Sequence, residues 1–110
     1  MSHTQRLEQQ LVEIQKTAEY GAMVTKLLEN HEFRKVILEG FCLHEAARYV
    51  HTSADPAIPE TQRADALAMA QASGHLKRFL AISQRLADQA SNDVVAIQQA
   101  IVESRQEGDD

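Results

Sequence analysis

Leu7, Leu11, Ile14, Ala18, Gly21, Thr25 and Leu28 fall at alternating steps of four and three along the chain. On a helix those positions form one face, a heptad seam, while Gln9, Gln10, Glu13, Lys16 and Glu19 take the other faces. The pattern predicts a helix over 4–29, with Ser2 or Thr4 as its cap. Its second half is lined by Ala18, Gly21 and Thr25 rather than Leu and Ile. Small residues there imply either close approach by a bulky neighbour or a weaker coiled coil.

Asn30 can end this helix and cap the next. Phe33, Val36, Ile37, Phe41, Ala47 and Val50 then recur at helical spacing, predicting a short helical elbow over 31–52. Gly40 costs about 1 kcal/mol relative to Ala inside a helix, so a bend is placed near it. Pro56 and Pro59 disfavour helix at the residues before them and mark a loop at 52–58. Beyond it Met69, Ala72, Leu76, Phe79, Ser83, Leu86 and Ala90 form a second seam, which Val94, Ile97 and Ile101 extend after a one-residue slip. Ser91-Asn92-Asp93 lies at the slip, so helices over 59–90 and 93–105 are predicted, with a disordered acidic tail at 106–110. The expected fold is all-α: a single domain, an elongated helical hairpin or small helix bundle with two heptad seams joined by the elbow. The N-terminal helix should pair antiparallel with the C-terminal one, either within one chain or, with the same contacts, in a swapped dimer.

Composition narrows the function classes. A chain of 110 residues, 44% apolar and 25% charged, has room for one folded domain. Residues 1–52 carry six Lys/Arg against seven Asp/Glu, and residues 53–110 carry five against nine. Neither half offers a basic surface for nucleic acid. The lone Cys42 excludes an internal disulfide and fits a reducing compartment. With no signal-peptide pattern and no run of eighteen apolar residues, a soluble cytoplasmic protein that does not enter a membrane is expected.

Candidate chemistry is sparse. His44-Glu45-Ala46-Ala47-Arg48 has the start of a metalloprotease helix, but Arg48 stands where the second zinc-binding His belongs. On a helix Cys42 and His44 point apart, and His44 and His51 lie roughly 10 Å apart along the axis. The four glycines stand singly, so no phosphate-cradling loop is present, and no pair of carboxylates is set in apolar surroundings. The expectation is a protein that is not an enzyme, with no cofactor, no metal and no small-molecule substrate. Leu43 to Val50 has the form of the opening helix of a helix-turn-helix, with Ala47 at the crossing. The next residues, Asp55 to Glu60, are rich in proline and acid where a recognition helix needs basic or amide side chains. A small DNA-binding factor using 43–65, a regulator or a terminase-like recognition subunit, is therefore the alternative. His75, Lys77, Arg78 and Arg85 make the one basic cluster, flanking the second seam or meeting an acidic partner.

Phe33-x3-Ile37-x2-Gly40-Phe41-x3-Glu45-Ala46-x-Arg48, then Ala54-Asp55-Pro56, then Gly74-His75-Leu76-x2-Phe79 resembles small helical proteins encoded among tailed-bacteriophage morphogenesis genes. The similarity covers about residues 30–82, with Phe at 41 where those proteins have Tyr. The resemblance implies a prophage or virion-assembly setting and a non-enzymatic role, in the host cytoplasm or the virion, and carries over no catalytic residue. The function expected is that of a structural or assembly protein that forms a homo-oligomer, with another phage structural protein as a further partner. Leu7, Leu11, Ile14, Leu76, Phe79, Leu86, Ile97 and Ile101 are its self-association seams. A helical adaptor or chaperone for one larger protein is the second alternative.

Overall fold

In a computed structural model, which describes residues 2–108, every regular element is helical. The fold is all-α. Helix α1 spans His3–Glu29. Its start is a reciprocal cap: the Ser2 hydroxyl accepts from the Gln5 amide at 3.1 Å, and the Gln5 side chain accepts from the Ser2 N–H at 3.0 Å. Two of the orphan donors at the helix start are thereby satisfied. Thr4, the other cap candidate, instead turns inward and is buried.

Asn30 ends α1 in extended geometry, and its Oδ1 accepts from the Phe33 amide at 2.8 Å, capping α2 (His31–Phe33). A π-helix, Arg34–Glu45, comes next, and α3 (Ala46–Ala54) completes the stretch. At the junction the Ala46 N–H points to the Phe41 carbonyl five residues back as well as to that of Leu43, the wider loop that defines a π turn. There is no break at Gly40; a Cβ there would meet the Lys35 carbonyl oxygen at an ordinary 3.4 Å. Inward positions now recur every four residues, at Phe33, Ile37, Phe41, Glu45 and Tyr49. Val36, Ala47 and Val50, which α-helical spacing assigned to the packed face, are exposed, Val36 at 63%.

Helix α3 runs two residues beyond the expected start of the loop, with the Ser53 hydroxyl donating back to the Val50 carbonyl at 2.6 Å. Asp55 then adopts extended geometry, as a residue before proline must. Its side chain accepts from the Ala57 amide at 2.9 Å and its carbonyl from the Ile58 amide at 3.1 Å. These bonds close a tight turn around Pro56. Helix α4 spans Glu60–Gln106, 47 residues without a break at Ser91–Asp93, so the expected pair of helices over 59–90 and 93–105 is one. Gly108, at a positive φ of 78°, ends it by donating to the Arg105 carbonyl at 3.1 Å. Of the tail expected at 106–110, Gln106 closes the helix and Glu107 and Gly108 form a turn. Asp109 and Asp110 lie outside the described residues.

The chain divides into two compact units. The first joins α1 up to Thr25 with α4 from Ser83 onward; the second comprises residues 26–82. Within the second unit the segment before the Asp55–Pro59 linker, residues 26–54, is six residues longer than the segment after it, 60–82. A π-helix places more residues along the same length than an α-helix does, so Arg34–Glu45 takes up excess chain in that arm.

Candidate interaction surface

The first unit is an antiparallel helix pair. Thr4 and Ser104 meet at one end through a 2.6 Å hydroxyl–hydroxyl hydrogen bond, both residues being buried. Arg105 donates to the Glu8 carboxylate beside them. Towards the other end, the Thr25 hydroxyl contacts the Gln84 carboxamide at 3.0 and 3.1 Å. Between these polar ends Gly21 lies against Ala87. A register that pairs 4 with 104 and 21 with 87 sets Leu7 opposite Ile101, Leu11 opposite Ile97, Ile14 opposite Val94 and Ala18 opposite Ala90. The small residues of α1 therefore do mark a close approach, but by small residues of α4 rather than a bulky neighbour.

By its buried and half-buried positions, the α4 seam is Ser73, Leu76, Leu80, Ser83, Ala87, Ala90, Val94, Ile97, Ile101 and Ser104. It is a continuous alternation of threes and fours with no slip. Phe79 and Leu86, assigned to the seam from the sequence, stand one position off it and are 54% and 49% exposed. Leu7, Leu11, Ile14, Leu76 and Ile97 are half-buried, and Ile101 is buried at 6%. Ile101 is thus covered within its own helix pair and is not open to a second chain.

In the second unit Cys42 is buried, its thiol directed at the Ser73 carbonyl oxygen 3.8 Å away. Cys42 and Ser73 stand about equally far from the Asp55–Pro59 linker, so the arms on either side of it fold back alongside each other. A helix-turn-helix instead sends its second helix off at roughly 90–120°, which the 43–65 segment does not do. His44 and His51 are exposed, as are His75, Lys77, Arg78 and Arg85. Glu45, at the end of the π-helix, pairs with Arg48, whose guanidinium also lies 4.7 Å from the Tyr49 ring centre. The hydrogen bond from Arg48 is the main reason the Glu45 carboxyl is held below the usual carboxylate range; its partner Arg48 is raised in turn. Among the described residues no cluster of three His, Cys, Asp or Glu side chains is placed to hold a metal ion. No helix among them is long and apolar enough to cross a membrane.

A groove of about 830 Å³ runs along one flank of the seam in the first unit. Helix α1 supplies Arg6, Gln10, Glu13 and Ile14 to it, and α4 supplies Asp93, Ala96 and Ile97. Its floor is the half-open seam itself, at Ile14 and Ile97; its walls are charged and amide side chains. Nothing in the heptad pattern pointed to it, because Arg6, Gln10 and Glu13 have the character of an ordinary solvated face. No family model, no curated protein and no solved structure matches the chain.

Proposed function

We propose that the protein is a non-enzymatic helical assembly unit that works by self-association and by binding other proteins. One observation carries this reading. Among the described residues no large side chain is fully buried, while Val12, Met23, Leu43, Phe79, Val95 and Val102 are among the large apolar side chains left more than half exposed. Two packed helices cover only the facing stripe of each, so a further layer is needed to close such a core. Covering a Val, Leu or Phe side chain is worth about 1.5–3 kcal/mol. Several covered together outweigh surface ion pairs, each worth about 0.2–1 kcal/mol. The resemblance over residues 30–82 supports particle assembly in a phage or prophage as the setting, with the host cytoplasm or the virion as the location.

Light scattering over a tenfold concentration range, at low and high salt, tests the reading. A mass above 12.3 kDa that persists in high salt supports an assembly unit held by apolar contacts. A monomer at every concentration rejects self-association.

A further inference from the structure

Resting on that reading, we propose that the groove beside Ile14 and Ile97 is the docking site for a second copy of this chain, with α1 laid antiparallel against α1 of the other copy about a two-fold axis. The argument is charge complementarity. On α1 the groove wall runs Arg6, Gln9, Gln10, Glu13, at i, i+3, i+4 and i+7, so these side chains share one face. Its ends are of opposite charge and its middle is neutral amide.

A two-fold axis passing between Gln9 and Gln10 sets Arg6 against Glu13 of the second copy and Glu13 against Arg6 of the second copy. Both pairs form at once, because the seven-residue spacing, about 10.5 Å, is the same in each chain. A parallel arrangement would oppose like charges. Asp93 lines the same groove, giving it a second carboxylate. Lys16 already touches Glu13 at 3.2 Å, so Arg6 of the second copy shares that carboxylate with the lysine, and Asp93 is a further acceptor in the same groove. At the centre the glutamine amides each donate and accept, and so complement their own copies. The contact covers Ala96 and the open sides of Ile14 and Ile97, and it is isologous, closing at two chains through this face.

The test is sedimentation velocity on the full chain with opposite charge reversals. R6E alone and E13R alone should each raise the dissociation constant through this face about tenfold, since each puts like charges in apposition twice. An equimolar mixture of R6E and E13R should restore association, because reversed and native charges face each other again in the mixed dimer. Arg6 and Glu13 are exposed, so unchanged helicity by circular dichroism is expected and serves as the folding control. As an independent readout, Q10C beside the axis should give a covalent dimer on mild oxidation. Wild-type protein that associates while both reversals associate equally well overturns this face and leaves self-association standing, as does failure of the mixture to recover. Wild-type protein that is monomeric throughout overturns both.

Discussion

Gly21 and Ala87 are in backbone-close contact across the α1–α4 seam: a Cβ built on Gly21 would lie 2.0 Å from the Ala87 Cβ and 2.8 Å from its Cα. The second distance decides the outcome, because the obstacle is main chain and cannot rotate away. Gly21→Ala gains about 1 kcal/mol of helix propensity but must push the helices apart, an overpacking cost of about 1–3 kcal/mol. The expected net result is a loss of about 1 kcal/mol, read as a lower urea midpoint by circular dichroism. Adding Ala87→Gly should not return that loss, because the Cα at position 87 still stands 2.8 Å from the new Cβ and a glycine inside α4 costs about a further 1 kcal/mol. A single variant at least as stable as wild type would mean that the helices separate without penalty.

Gly74 provides the contrast. It lies within α4, is exposed, and a Cβ there would meet nothing within 4 Å. Gly74→Ala should therefore stabilise the chain by about 0.5–1 kcal/mol, the helix-propensity gain without the clash. The same urea titration reads it, and an unchanged or lower midpoint would show that position 74 is packed in solution.

At the open ends of the first unit, Thr4 and Ser104 share a buried hydrogen bond of 2.6 Å. Thr4→Val and Ser104→Ala should each cost about 1–2 kcal/mol, because each leaves a buried hydroxyl without this partner. The double variant should cost less than the two single losses together, with a coupling of at least about 0.5 kcal/mol. Strict additivity in the cycle would mean that the two hydroxyls do not meet.

How far the sequence discloses this structure depends on residue size. Leu7 and Ile14 are bulky and stand between polar neighbours, and Leu11 is larger than its one apolar neighbour Val12, so the α1 seam is legible down to Leu28. On α4 the reverse holds. Leu86 is larger than the adjacent packed Ala87, and Phe79 is larger than the adjacent packed Leu80, so weighting by size draws the register one position off at both. The apparent slip at Ser91–Asp93, and with it the division into two helices, is a product of that misplaced register. Small residues are chosen at 87 and 90 because the helices come close, a tertiary reason that no single-helix pattern displays.

The π-helix and the groove were hidden for other reasons. An i→i+5 ladder requires no particular residue type, so Arg34–Glu45 looks like any helix-forming stretch until the inward positions are seen to recur every four. What it changes is which apolar residues face out, sending Val36 and Val50 to the surface. The groove is built from two helix segments more than seventy residues apart in sequence, and its wall residues are of the kinds that normally face solvent. Its charge order along α1, basic then neutral then acidic, is legible at Arg6, Gln10 and Glu13. Its partner wall at Asp93 is not.

Where the π-helix gives way to α3, Glu45 and Arg48 provide a titratable probe. The hydrogen bond and charge of Arg48 favour the ionised carboxylate, so the Glu45 carboxyl in the folded chain titrates below its ordinary value. A carboxyl whose folded pKa is depressed favours the fold at pH above its unfolded value of about 4.3. That contribution fades as pH falls through the folded value, and it is fully present at neutral pH. Removing the guanidinium by Arg48→Gln should move the Glu45 titration back up towards the ordinary glutamate range, followed through its side-chain carboxyl carbon by NMR. Both side chains are about half exposed, so raising the salt should narrow the difference between wild type and variant as the charges are screened. A Glu45 carboxyl that titrates at the same pH in both proteins would show that the pair is not formed in solution. In that case the turn from π to α winding would be held by backbone hydrogen bonds alone.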